Sequence, residues 1–245
     1  MKTAMEKSGS LVASLFQEPR NFRTTGDPVH SGPAITIAHQ TGSGAHEVAE
    51  QLANLLQEAE PKGGPPWKVL DRQIVEQALE EHHWPKALAQ KMPEDRRSYL
   101  DDTLDDLFGL RPPSWVLVPQ VIETIQRLAE AGHVILIGRG ATLVASRLSN
   151  IFRVRLIASL TTRIRRVQRS LTLSPAAAAQ LVKRQDRGRQ RYVRANFHAS
   201  LDDLMLYHMI INTDHVSCPD AAIVIAEGAK RCFASASKAS PGGDL

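Results

Sequence analysis

The chain has 245 residues, 42% hydrophobic and 23% charged, the make-up of an ordinary globular protein with room for one sizeable core. Its two cysteines, Cys218 and Cys232, come without a CxxC or a paired His cluster, which excludes a disulfide framework and argues against structural zinc, as a reducing cytosol allows. No apolar run is long enough for a bilayer, while a net charge of +4 and a pI near 9.2 point to an anionic partner without separating nucleotide from nucleic acid.

Residues 1–32 carry Ser, Gly, Pro and scattered charge without periodicity, and read as a disordered tail. The stretch Leu11 to Phe16 is too short for a signal h-region, so a cytoplasmic location is expected. A single nucleotide-binding domain is expected over 33–233, followed by a flexible tail over 234–245.

Ala34-Ile35-Thr36-Ile37-Ala38 is the first predicted strand, and it runs into Gly42-Ser43-Gly44. Beyond the loop, Val48, Leu52, Leu55 and Leu56 recur at helical spacing. Trp67 to Leu70 predicts a second strand ending at Asp71-Arg72. Residues 73–131 show no strand signal, and Pro85, Pro93 and Pro112-Pro113 divide them into several helices. Val134 to Ile137 predicts a strand buried on both faces, stopping at Gly138-Arg139-Gly140. Phe152 to Ile157 alternates like a strand with one partly exposed face. Helices follow from Arg163, then a last strand at Met209 to Ile211 and a final amphipathic helix from about Pro219 to Arg231. Strands alternating with helices predict an α/β domain built on a five-stranded parallel sheet.

Two turns at predicted strand ends stand out. A strand, a glycine loop and a helix can hold an anion, because Gly42 and Gly44 free the backbone to turn its N–H groups and the helix end adds its dipole. The bland alternative is a tight turn without ligand; in the phosphate-loop pattern G-x-x-x-x-G-K-[ST], His39 replaces the first Gly and Ala45 the Lys. Ligands of open parallel sheets lie at carboxyl ends of strands, where Arg139 could grip a phosphate with its planar fork. Asp71-Arg72 sits in an equivalent place, and an N-cap followed by a solvated Arg would look the same.

The run from Lys183 to Arg194 holds six basic residues and one acid. Arg184, Arg187 and Arg191 recur at helical spacing, which suits a solvated helix, a nucleic-acid patch or an arginine lid over a triphosphate. His82-His83 and the acids Asp101, Asp102, Asp105 and Asp106 read as solvated helix faces, and the two cysteines as packing residues.

Taken in order, these segments resemble the cytidylate kinase-like family. Ile35-Thr36-Ile37 with Gly42-Ser43-Gly44 is similar to its first strand and phosphate loop, and Leu70-Asp71-Arg72-Gln73-Ile74 to its "YDRELI" segment. Gly138-Arg139-Gly140 resembles its "GRG" turn, and Arg184 to Arg191 its lid "RDDRDRNR". The resemblance implies a P-loop-type three-layer sandwich with a helical monophosphate-binding insert and an arginine-rich lid. It implies a nucleoside monophosphate kinase using ATP and Mg²⁺, with CMP or dCMP as acceptor. Gly42, Ser43, Gly44, His46 and Glu47 would then meet the ATP phosphates, and Asp71, Arg72 and Arg139 the monophosphate. Arg184, Arg187 and Arg191 would neutralise the transferred group. The family pattern Gly-Gly-Arg-Glu has an Arg where this chain has His46, and Glu47 would repel a triphosphate unless it takes part in metal coordination. No metal ligand set is otherwise legible.

Two other readings follow from the same residues. One is a nucleotide-binding or regulatory protein of this fold with impaired catalysis, because Ala45 and His46 stand where charge is needed. The other is a nucleic-acid-binding module using residues 183–194, disfavoured because Tyr192 is the one aromatic in the run.

Overall fold

The computed structural model describes residues 32–61, 63–71, 114–138 and 140–238. Most of the two tails, the insert expected after Asp71, His82-His83 with the acidic faces, Arg72 and Arg139 lie outside the described residues.

β1 (Ala34–His39) is the centre of the fold. Ile35 and Ile37 point to one face and Ala34 and Thr36 to the other, and all four are fully buried. A strand with no exposed face must be covered by helices on both sides. α1 (Ala45–Ala59) covers the first face, with Val48, Ala49, Leu52 and Leu56 against the strand. Val48, Leu52 and Leu56 each contribute about 2 kcal/mol on burial.

β2 (Lys68–Leu70) is followed, beyond the insert, by α2 (Ser114–Ala131), β3 (Val134–Ile137) and the short α3 (Ala141–Val144). α2 packs Val121, Ile125 and Leu128 against the second face, with Val134, Leu136 and Ala141. β4 (Ile151–Ile157) and β5 (Met209–Asn212) complete the sheet, whose order is β2-β3-β1-β4-β5 with every pairing parallel. α6 (Cys218–Lys238) returns to the first face beside α1 through Ala222, Ile225 and Ala226. Helices therefore leave β1 and β3, which are neighbours, towards opposite faces. A crevice opens at their carboxyl ends, as it does wherever a doubly wound sheet reverses direction.

Between β4 and β5 stand α4 (Leu160–Leu171) and α5 (Pro175–Phe197). Ser159 and Ser174 cap them, accepting from the backbone N–H of Thr162 (3.3 Å) and Ala177 (3.2 Å), and Pro175 takes the first helical turn of α5. Val167, Ala178 and Val182 join the pair.

The sequence expectation of a five-stranded parallel α/β sheet matches this arrangement. The end of the chain differs: α6 runs to Lys238, past the residue-234 boundary. Its last residues, Ala234-Ser235-Ala236-Ser237-Lys238, contain nothing that breaks a helix. Among the described residues no helix is long and apolar enough to cross a membrane.

Candidate active site

The loop from His39 to Gly44 joins β1 to α1 and depends on its glycines. Gly42 and Gly44 adopt φ of 80° and 87°, the left-handed region that only glycine enters without strain. A Cβ on Gly42 would lie 2.6 Å from the carbonyl oxygen of Arg163, and one on Gly44 2.6 Å from Cys218 Sγ. Gly44→Ala is therefore expected to destabilise the protein by about 1–3 kcal/mol through backbone strain and crowding. Thermal unfolding checks this, and adding Cys218→Ala should recover only the steric part.

The loop is tied to the sheet and to the helices around it. The Gln40 N–H donates to Leu156 O (3.1 Å), and Gln40 Oε1 accepts from the Ala158 N–H (3.0 Å). Arg163 Nη1 donates to Thr41 O (3.3 Å), and the Thr213 hydroxyl to Ser43 O (3.0 Å). Arg166 donates to Thr213 Oγ1 and to Thr213 O, each at 2.8 Å, and lies 3.5 Å from Gly42 O. Loop carbonyls are thus turned back into the protein. The first N–H groups of α1, which have no intrahelical acceptor, point with the helix dipole into the crevice.

That crevice has a volume of about 790 Å³ and is lined by Gly42, Gly44, His46, Glu47, Asp71, Arg166 and Arg189 among others. After Gly44 there is neither a Lys nor a hydroxyl: Ala45 is buried and His46 exposed. Positive charge arrives instead from α4 and α5. Asp186 organises it, accepting from the Thr41 N–H (2.9 Å), Arg163 Nη1 (2.5 Å) and Arg189 Nη1 (3.2 Å). Arg189 also donates to Thr41 Oγ1 at 2.7 Å. The Arg163 and Arg189 side chains are only 9% and 13% exposed, so their burial depends on this carboxylate.

His39 adds no charge. Burial, and then the nearby Arg189, His46 and Arg155, hold its imidazole well below the usual histidine range, so it is neutral at pH 7. Burial and the neighbouring Glu47 push the Cys218 thiol up, which makes it a packing residue rather than a nucleophile. His46 Nδ1 stands 3.9 Å from Asp71 Oδ2 across the crevice. Among the described residues no group of three His, Cys, Asp or Glu is gathered for a metal ion.

The structure brings together much of the expected set. Gly42, Gly44, His46, Glu47 and Asp71 share the crevice, while Ser43 is fully buried below it. Arg184, Arg187 and Arg191 do not line it; all three are exposed on the outer flank of α5. The arginines that do reach the loop are Arg163, Arg166 and Arg189. A signal for them exists in the sequence. Val182, Asp186, Arg189 and Val193 follow helical spacing, and the two valines, both buried, mark that stripe as the inward one.

A family model described as the cytidylate kinase-like family matches residues 34–215. Among solved structures, an uncharacterized protein from Eubacterium ventriosum shares the fold with a TM-score of 0.56 at 16% identity, over 82% of this chain and 98% of its own. A gluconokinase from Sinorhizobium meliloti aligns with a TM-score of 0.49 at 13% identity, over 85% of this chain and 98% of its own. A shikimate kinase from Bacteroides thetaiotaomicron aligns with a TM-score of 0.42 at 14% identity, over 84% and 98% respectively. No curated protein matches the chain. Because the matched span runs from the first strand through the glycine loop and the α4–α5 pair to the end of β5, the chain belongs to the cytidylate kinase-like family.

Proposed function

We propose that the protein is a nucleoside monophosphate kinase that transfers the γ-phosphoryl group of ATP to CMP or dCMP. The observation that carries this reading is the convergence of Arg166 and Arg189 on a glycine loop that has no lysine of its own. Phosphoryl transfer needs little covalent help from the protein. It needs the phosphates positioned and their charge neutralised.

In this reading the loop N–H groups and the amino end of α1 hold the donor phosphates. Arg166 and Arg189 supply the charge that Ala45 lacks. A phosphate oxygen of the acceptor bonds to the γ-phosphorus as the bridge to the β-phosphate breaks, giving CDP and ADP. Asp71 belongs to the acceptor side at the end of β2 and, by the family pattern, so do Arg72 and Arg139. The carboxylates of Glu47 and Asp71 both line the crevice and are the hard oxygen donors that Mg²⁺ takes together with water and phosphate. Bound with ATP, Mg²⁺ neutralises charge on the β- and γ-phosphates.

A second reading is a nucleotide-binding protein of the same fold that has lost catalysis. It is favoured by Asp186, whose carboxylate already engages Arg189 and the Thr41 N–H. An assay with ATP, Mg²⁺ and each of CMP, dCMP, UMP, AMP and GMP, run beside ATP calorimetry, separates the two. Product with CMP or dCMP is the expected result. ATP binding without product for any acceptor would select the second reading, and no ATP binding would overturn both.

A further inference from the structure

Arg155 is a buried charge to which the proposed reaction gives no part. It stands on β4 opposite Ala38 of β1, one residue short of the phosphate loop. Val154 and Leu156 join the core on the α1 side, so Arg155, alternating with them, points to the other face. Its side chain is 7% exposed there, and a buried guanidinium is costly unless its N–H groups are paired. Nη2 pairs with Asp202 at 3.3 Å, and the head group stands over the Tyr207 ring, 5.7 Å from its centroid. Nη1 is buried and has no hydrogen-bond partner among the described residues. An exception of that kind calls for a reason.

Arg155 borders a cavity of about 40 Å³ that it shares with His39, Asp186, Arg189, Gln190 and Asp202. One water takes up only ~10–15 Å³ by this measure, so the head group has room to turn. His39 adds no charge, because burial and then the nearby Arg189 keep its imidazole neutral. The charges facing Arg155 are therefore Arg189, its own partner Asp202, and Asp186. Asp186 accepts from Arg189 at 3.2 Å, and that bond has to open if Arg189 is to grip a phosphate. Opening it would deprive a half-buried carboxylate of one cation.

We infer that Arg155 is a positioning residue whose open Nη1 takes over Asp186 when Arg189 turns to a nucleotide phosphate. The exchange keeps the number of charge-assisted bonds at Asp186 constant. Repulsion between two guanidinium groups in one low-dielectric cavity favours the departure of Arg189. Arg163 (2.5 Å) and the Thr41 N–H (2.9 Å) stay on Asp186 throughout, so the loop keeps its tie to α5. Arg155 then bridges Asp186 on α5 and Asp202 in the segment that follows it. The hold of Asp186 on Arg189 is thereby a resting state and no obstacle to phosphate binding.

The inference rests on the crevice being a nucleotide site, as in the proposed function, but not on catalysis. Calorimetric titration of β,γ-imido-ATP with Mg²⁺ into the parent, Arg155→Met, Asp186→Asn and the double variant tests it, with circular dichroism as the check on folding. Arg155→Met is expected to weaken binding about 10-fold, the lower end of one charge-assisted contact, because Arg189 stays on Asp186. In the Asp186→Asn background, where no carboxylate holds Arg189, the same substitution should cost less than about 2-fold. A merely structural role would give the same loss in both backgrounds, and that result would overturn the inference. So would an Arg155→Met affinity equal to the parent's. Asp202→Asn weakening binding as much as Arg155→Met would overturn it too, making Arg155 a clamp for the segment after α5. The parent gives a reading that needs no variant to fold. Crystallised with the same nucleotide, it should show Arg155 Nη1 on Asp186 and Arg189 on a phosphate, and Arg189 still on Asp186 would contradict the exchange. A parent that binds no nucleotide overturns the inference together with the phosphate site, whereas binding without product removes the kinase reading alone.

Discussion

Arg189→Met is expected to lower kcat by roughly 10²–10³-fold while the protein stays folded, with the loss in the chemical step rather than in acceptor binding. Arginines that neutralise a transferring phosphoryl group contribute about 10³–10⁵-fold where their role is established. Arg189 shares its site with Arg166, which retains part of the charge, so the expected loss lies at or below the bottom of that range. The Met side chain keeps an apolar stem of similar reach and removes the fork that donates to Thr41 Oγ1 and Asp186. Steady-state kinetics with ATP and CMP measures the effect. A variant with the parent's kcat would remove Arg189 from the mechanism, and the missing lysine would have to be compensated from another residue.

Asp186→Ala should produce the largest loss of stability of any single substitution around the loop. It leaves Arg163 without its carboxylate partner, the Thr41 N–H without an acceptor, and Arg189 with one contact fewer. Removing one member of a buried pair costs about 3–5 kcal/mol. The Asp186 side chain is 24% exposed, and solvent screening brings the figure to about 2–3 kcal/mol. For a domain of this size that is a fall in Tm of about 4–12 °C. Asp186→Asn keeps the size and one acceptor and should lie between parent and Ala. Equal melting temperatures for parent and Asp186→Ala would show that α5 is held to the loop by packing alone.

β1 and β3 were legible because their burial is extreme. Val134-Ile135-Leu136-Ile137 is apolar at each position, and the predicted span is the observed one. Gly42 and Gly44 were legible because a strand that turns directly into a helix needs positive φ in the turn. Sheet order was not written locally. That β1 lies between β3 and β4 follows from crossover handedness and from β1 being buried on both faces. The spacing points to Arg184, Arg187 and Arg191, whereas the α5 arginine that reaches the loop in the fold is Arg189. Spacing alone shows that Arg184, Arg187 and Arg191 share a flank, but not whether that flank faces the core. Buried Val182 and Val193 decide the question in favour of Asp186 and Arg189. Arg163 and Arg166 left no mark in the sequence, since their partners Thr41 and Thr213 lie in remote loops that only the folded sheet brings close.

The central claim is that a phosphate loop without lysine takes its charge from α4 and α5. Calorimetric titration of ATP into the parent protein and into the Arg166→Met/Arg189→Met double variant tests it most directly. A charge-assisted contact contributes about 1.5–3 kcal/mol; losing even one of the two predicts at least ~10-fold weaker ATP binding in the folded double variant. Equal affinity in the two proteins would contradict the account and leave the loop backbone and the helix dipole as the whole of the anion site.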